Sequence, residues 1–198
     1  MNLRNRKMIE EKYKEYCGSG DGIERHLPYL RKLSDGIDVI ELGVDVGKSS
    51  TAFLLSADHL TSVDKIITRA ADKLLKAAGP DWKYYLKDTR LLNDIEPADL
   101  VFFDTCHTYD HLQLELIAYY SKAKSYMVFH DTITFGSHGE SYFRPGNKNP
   151  HPGERQPYHM TLGIRPAIDE FMIMYPEWRV ERVSTVGHGL LTLKKEAR

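Results

Sequence analysis

From residue 38 onward, short apolar runs alternate with segments whose apolar residues recur at helical spacing. Asp38-Val-Ile-Glu-Leu-Gly43, Asp99-Leu-Val-Phe-Phe103 and Tyr126-Met-Val-Phe129 are nearly continuous apolar stretches. Strands covered on both faces read this way, which points to a parallel sheet. The pattern predicts strands near 38–43, 60–64, 82–86, 99–104 and 125–130, with helices near 47–57, 67–78 and 109–122. The last helix carries a stripe of Leu112, Leu116 and Tyr119. Such alternation describes an α/β, doubly wound, Rossmann-like sheet.

Both ends of the chain depart from the alternation. Residues 4–17 and 22–34 read as two short helices split by Gly18-Ser-Gly-Asp-Gly22, with Ile23, Leu27, Leu30 and Leu33 at helical spacing. They form an N-terminal helical extension over residues 1–35, ahead of a main domain at 36–198. The stripe of Ile9, Tyr13 and Tyr16 either covers the pocket or pairs with a second subunit as a homo-oligomer. Near the other end, a helix at 161–174 precedes two strands, 179–183 and 189–193, joined through Gly187-His-Gly189 as a hairpin. Residues 136–160 hold many of the Gly, Pro, Asn and His residues and no periodicity. A long loop beyond a strand C-terminus is either a lid or a mobile insertion.

Composition narrows the class. At 198 residues one domain is expected, and 41% hydrophobic with 28% charged residues is ordinary for a soluble globular protein. A net charge of −1 gives no global attraction to nucleic acid or to an anionic membrane. Cys17 and Cys106 cannot build a disulfide framework, which fits a reducing, cytoplasmic location. No apolar run approaches the ~20 residues of a membrane span. The basic Met1–Lys7 stretch has no hydrophobic region behind it and does not read as a secretory signal.

The turn after the first strand carries the candidate chemistry. Gly47-Lys48-Ser49 supplies the second half of a P-loop, but the first glycine would fall at Leu42. A dinucleotide fingerprint needs a second glycine where Asp45 stands, and that carboxylate would repel pyrophosphate. A cofactor without phosphate, such as S-adenosylmethionine, needs the fewest exceptions. Its ammonium would be attracted by Glu41 or Asp45, and the helix start near Lys48 offers N–H groups to its carboxylate. Asp64, about 20 residues past the turn, is spaced to accept ribose hydroxyls. Ser49 and Ser50 either cap the helix or bind that carboxylate, and Asp88 either contacts the ligand or caps a helix.

Taken together, the alternation, the closing hairpin and four motifs resemble the class I S-adenosylmethionine-dependent methyltransferases. Glu41-Leu-Gly-Val-Asp-Val-Gly-Lys-Ser-Ser-Thr51, Asp104-Thr-Cys-His-Thr-Tyr109, Phe129-His-Asp-Thr132 and Gly163-Ile-Arg-Pro-Ala-Ile-Asp-Glu-Phe171 are similar to motifs of the small-molecule branch. That branch includes cephalosporin-hydroxylase-like proteins and sugar O-methyltransferases. The resemblance covers residues 36–195 and implies a seven-stranded sheet of order 3-2-1-4-5-7-6 with strand 7 antiparallel. It implies that Glu41, Gly43, Gly47, Ser49 and Ser50 hold the methionine end and Asp64 the ribose. Asp88 and Thr89 would sit beside adenine, and Asp104 would border both cofactor and acceptor.

If strands four and five are neighbours, as the resemblance implies, Asp104 and Asp131 share one side of the pocket mouth. Two carboxylates there share either a proton or a cation, and oxygen ligation suits Mg²⁺. His107 is the candidate general base. His130 precedes Asp131 on a strand, so alternation sends the two side chains to opposite faces and makes His130 structural; otherwise it is a third metal ligand. His138, His151 and His159 match no zinc signature. Tyr142, Phe143 and Arg144 are candidates to close over the acceptor. Arg144, Lys148 and Arg155 either favour an anionic acceptor or serve solubility.

The expected function is S-adenosylmethionine-dependent O-methylation of a small-molecule hydroxyl, a sugar or other metabolite, with Mg²⁺ assistance as an option. The rivals are a nucleotide-sugar or NAD-dependent Rossmann enzyme and a non-catalytic cofactor-binding module. A nucleic-acid substrate is disfavoured, because the chain lacks an Asn-Pro-Pro-Tyr type motif and a strongly basic face.

Overall fold

A computed structural model describes residues 2–91, 94–140 and 161–196. The lid expectation at Tyr142, Phe143 and Arg144 lies outside the described residues, as do Lys148, His151, Arg155 and His159. In chain order the elements are α1 (Leu3–Cys17), a 3₁₀ turn (Ile23–His26), α2 (Leu27–Leu33), β1 (Asp38–Leu42), α3 (Lys48–Leu54), β2 (His59–Asp64), α4 (Arg69–Ala78) and β3 (Trp82–Leu86). They continue with a 3₁₀ turn (Thr89–Leu91), β4 (Ala98–Phe103), α5 (Tyr109–Tyr119), β5 (Ala123–His130), α6 (Ile164–Met174), β6 (Trp178–Ser184) and β7 (Leu190–Lys195).

The seven strands form one sheet of order β3-β2-β1-β4-β5-β7-β6. β1 to β5 pair in parallel, and β7 runs antiparallel to both β5 and β6. Strand order reverses between β1 and β4, so their C-terminal ends open a crevice where doubly wound sheets bind ligands.

The central strands feed two cores, which explains the continuous apolar runs. On β4, Val101 and Phe103 pack with Leu116, Ile168 and Phe171 on one face, while Leu100 and Phe102 pack with Ile9, Leu27 and Phe53 on the other. Ile9 and Tyr13 are buried in that second core, and Tyr16 packs against it. The N-terminal stripe therefore packs into the chain's own core. The helix expected at 22–34 is divided, because Pro28 lacks an N–H and fits only a first helical turn, so α2 begins at Leu27. β6 is an edge strand whose exposed face carries Arg179, Glu181 and Arg182, charges that discourage pairing with a stray strand. Among the described residues no helix is long and apolar enough to cross a membrane.

Candidate functional site

The crevice begins where β1 ends. Gly43 has φ +85, and a Cβ there would lie 2.0 Å from the Asp104 carbonyl oxygen. Only glycine lets the chain leave β1 this close to the end of β4. The turn that follows is held by Asp64. Its Oδ2 accepts the N–H groups of Val44 (2.7 Å) and Asp45 (3.2 Å), and its Oδ1 accepts that of Ile66 (3.1 Å). A carboxylate has about four lone-pair directions, so the side chain is fixed with acceptor capacity left over. Asp64 borders an open cleft of about 260 Å³, lined also by Gly43, Val44, Thr89, Asp104 and His111.

Glu41 lies beneath this cleft, fully buried. Its carboxylate accepts the hydroxyls of Ser49 (2.6 Å), Ser50 (2.8 and 3.0 Å) and Ser62 (2.6 Å), and Trp82 Nε1 donates to Ser62 Oγ at 2.7 Å. Burial pushes Glu41 up to about 7, against the hydroxyls that pull it down. Ser49 and Ser50 are buried as well; their hydroxyls serve Glu41, and neither residue lines the cleft. Gly47 opens α3 with a left-handed φ of 84, and its carbonyl accepts the Thr51 N–H.

Asp88 is also committed. Its Oδ1 accepts the Arg90 backbone N–H (3.0 Å) and Nε (3.1 Å), its Oδ2 accepts Nη2 (3.1 Å), and Lys65 Nζ lies at 3.7 Å. Burial works against the charge, but Arg90 outweighs it and holds the carboxyl below its usual range. Thr89, not Asp88, lines the cleft.

At the end of β4 and β5 a second group assembles. Asp104, His107, His130 and Asp131 place one ligand atom each within 4.8 Å of one another. His107 Nε2 lies 3.3 Å from Asp104 Oδ1 and 3.1 Å from Asp131 Oδ2, and its Nδ1 lies 2.7 Å from Glu140 Oε1. Phe135 stacks on the ring at 5.0 Å. His130 Nδ1 lies 3.1 Å from Asp104 Oδ1 and 3.5 Å from Asp131 Oδ2, while its Nε2 donates to the Gly187 carbonyl at 3.1 Å.

The opposite-face expectation for His130 fails here. Asp131 has φ +60, a left-handed backbone that ends strand alternation and turns both side chains into one cluster. Asp45, Asp131 and His188 are the only non-glycine residues with positive φ among the described residues, and all belong to the turns that build this site.

Several members carried no usable sequence signal. Glu140 stands alone in an aperiodic segment. His188, in the hairpin turn, brings Nδ1 to 3.4 Å from Asp131 Oδ1. His26 Nε2 contacts the Val186 and Gly187 carbonyls at 3.0 and 3.1 Å. A Cβ at Gly187 would lie 2.6 Å from the Gly22 carbonyl oxygen, so the turn is pressed onto the N-terminal segment.

Charge is unevenly distributed in the cluster. Burial disfavours an imidazolium at His107, but hydrogen bonds to Asp104 and Glu140 and the charges of Asp104 and Asp131 raise it to about 10. His130 is raised by Asp104 and Asp131 against the same burial. Burial likewise opposes ionisation of Asp104, yet the two imidazoles hold it well below the usual carboxylate range. Asp131 moves the other way, pushed up by burial. The two carboxylates share the same histidines but not the same contacts: Asp104 accepts hydrogen bonds from both rings, whereas Asp131 Oδ1 is buried with no hydrogen-bond partner among the described residues. The proton therefore sits on His107, and the negative charge is firmest on Asp104.

The donor set bears on the metal expectation. Mg²⁺ takes oxygen ligands in octahedral geometry, and two of these four donors are imidazole nitrogens. The set is a poor match for Mg²⁺; such N/O sites suit Mn²⁺, Fe²⁺ or Zn²⁺.

No protein-family model matches the sequence, and no curated protein matches it. Solved structures do match in fold. A Staphylococcus aureus protein provisionally described as a caffeoyl-CoA O-methyltransferase superposes with TM-score 0.65 at 15% identity, covering 98% of this chain and 100% of its own. The 1,6-didemethyltoxoflavin-N1-methyltransferase of Burkholderia thailandensis, with S-adenosylhomocysteine bound, gives TM-score 0.63 at 12% identity over 97% of this chain and 87% of its own. An O-methyltransferase from Bacillus cereus, also in complex with S-adenosylhomocysteine, gives 0.60 at 11% identity over 99% and 92%. The chain has the fold of the class I S-adenosylmethionine-dependent methyltransferases, with their strand order and reversed seventh strand.

Proposed function

We propose that this chain is an S-adenosylmethionine-dependent methyltransferase acting on a hydroxyl of a small molecule. One observation carries the reading: a rigidly held carboxylate, Asp64, lines the same cleft as Asp104, through which a carboxylate–imidazole cluster reaches the crevice between β1 and β4. The first suits a ribose diol, and the second suits proton removal from an acceptor. Neighbours of the same fold bind S-adenosylhomocysteine, which supports the cofactor. The carboxylate of Asp45 at the cleft wall argues against a pyrophosphate ligand and so against the NAD and nucleotide-sugar rivals.

Bound S-adenosylmethionine would supply an electrophilic methyl group on a positively charged sulfur. The residues of this chain then have three tasks. Asp64 and the turn at Gly43–Asp45 fix the cofactor's position, because in-line transfer depends mostly on geometry. The cluster that Asp104 brings to the cleft, with Asp131 pushed up by burial, would take the acceptor's hydroxyl proton as the new O–C bond formed and the S–C bond broke. His107, raised to about 10 and hence already protonated at neutral pH, holds Asp131 in place and does not act as the base itself. No step runs through Mg²⁺.

Calorimetry with S-adenosylhomocysteine, NAD⁺ and a nucleotide sugar tests this. Micromolar binding of the sulfur compound alone supports the reading. Affinity for a pyrophosphate ligand, with none for S-adenosylhomocysteine, would sink it.

A further inference from the structure

Helices α1 and α4 both pack into the core on the side of the sheet opposite α5 and α6. Asn5 Nδ2 donates to the Ala77 carbonyl at 2.8 Å and ties the start of α1 to the end of α4. Beyond that tie the two helices leave a groove of about 460 Å³, within the range of small-molecule sites. It shares no lining residue with the cleft at Asp64. Its floor is apolar: Leu74 is buried, and Met8 and Tyr16 pack against the same core. A Cβ at Gly47 would lie 2.7 Å from Leu74 Cδ1, so the groove lies behind the glycine turn and outside the crevice.

The rim is cationic on both banks. Lys12 stands one turn from Met8 and from Tyr16 on α1, and Arg69 and Lys73 stand one turn apart on α4. Among the described residues no carboxylate lines the groove. Lys12 Nζ reaches Glu15 at 2.6 Å, but both side chains are about half exposed and such a pair holds weakly. Arg69 and Lys73 make no side-chain hydrogen bond or ion pair among the described residues. Like charges at this spacing repel along a helix, and no described residue offsets them here. Lys76 differs: it lies outside the groove and pairs with Asp72 at 2.6 Å. Because α4 begins at Arg69, the positive end of its dipole adds to the same mouth.

An occupant that satisfies this groove needs an anionic head for the cations and an apolar body for the floor. Inorganic phosphate would leave the floor wet, and a neutral hydrocarbon would leave the cations unpaired. Cations on both banks of a concave floor suit a single chain laid between the helices, not the flat surface of a bilayer. We propose that the groove between α1 and α4 is a binding site for a small anionic amphiphile, an alkyl or acyl chain ending in a carboxylate or phosphate. The site shares nothing with the crevice, so it stands or falls independently of the function proposed above.

The test follows the backbone amide resonances of the whole chain while octyl phosphate, octanol or inorganic phosphate is added, the octyl compounds kept monomeric. Octyl phosphate should shift the amides of Lys12, Tyr16, Lys73 and Leu74 together, with a dissociation constant of about 0.1–1 mM. It should bind at least about 10-fold more tightly than octanol or inorganic phosphate. This ranking is read on the wild-type protein, so a folding defect cannot obscure it. Arg69→Glu and Lys73→Glu, both at exposed positions, should each weaken octyl phosphate by about 10-fold. Lys76→Glu makes the same change in net charge outside the groove and should stay within about threefold. Inorganic phosphate binding as well as octyl phosphate would show an adventitious ion only, and octanol binding as well would show that the cations play no part. Either result would overturn the proposal, as would equal losses in Lys76→Glu and Lys73→Glu. Adsorption to phosphatidylglycerol vesicles with no shift by octyl phosphate would overturn it too, in favour of a membrane surface.

Discussion

Two carboxylates end neighbouring strands of the same sheet, Glu41 near the end of β1 and Asp104 just beyond β4, and their surroundings drive them apart. Glu41 is wrapped in three neutral hydroxyls, and burial prevails, leaving it at about 7. Asp104 meets two imidazoles, and their charge prevails, holding it well below the usual range. Hydrogen bonds from neutral donors satisfy a buried carboxylate without fixing its charge, whereas ionisable partners fix it. The first arrangement braces a turn. The second stores charge beside a cleft.

Disrupting the charged member should matter most. Asp104→Asn removes the anion that both imidazoles face, and loss of one member of a buried ionic cluster costs about 3 kcal/mol or more. Urea denaturation measures this, and a loss below about 1 kcal/mol would show that the cluster is not ionic.

The two sites should also titrate in separate windows. Glu41 binds its proton more tightly folded than unfolded, so its contribution is complete below pH 4.5 and is lost as pH rises towards about 7. The difference amounts to about 3 kcal/mol, and Glu41→Gln should flatten the slope in that window. His107 is likewise raised, from 6.5 to about 10, so its contribution is present below pH 6.5 and lost as pH climbs through about 10. His107→Gln should flatten only this alkaline limb. Stability curves recorded in chelator for the three proteins check both, and a variant that flattened the other window would refute the assignment.

Smaller changes sharpen the contrast. Ser50→Ala leaves Glu41 the hydroxyls of Ser49 and Ser62, so a loss of about 1 kcal/mol is expected in thermal denaturation. Lys76→Ala breaks an exposed pair with Asp72 and should change stability by less than about 0.5 kcal/mol.

The sequence made the sheet legible because strands buried on both faces leave continuous apolar runs, as Leu100 to Phe103 do. Gly43 and Asp64 were legible because a turn and its carboxylate recur at a fixed spacing. Asp104, His107 and Asp131 stood within short motifs. The direction of His130 was not legible, since strand alternation assumes a β backbone and Asp131 leaves it. Nor were Glu140 and His188 recognised. Both join the site only through tertiary folding, across 33 and 57 residues. Ser49 and Ser50 stood between a cap and a ligand contact, because a sequence cannot say which side of a helix start meets the sheet, and their hydroxyls bond Glu41.

The central claim is a division of labour: the β1–β2 side holds the cofactor, and the cluster at β4–β5 handles the proton. Equilibrium binding of S-adenosylhomocysteine to wild type, Asp64→Asn and Asp131→Asn tests it most directly. The account predicts micromolar binding by wild type, a loss of about 10- to 100-fold in Asp64→Asn, and a change within about threefold in Asp131→Asn. Equal losses in both variants, or none in Asp64→Asn, would contradict it.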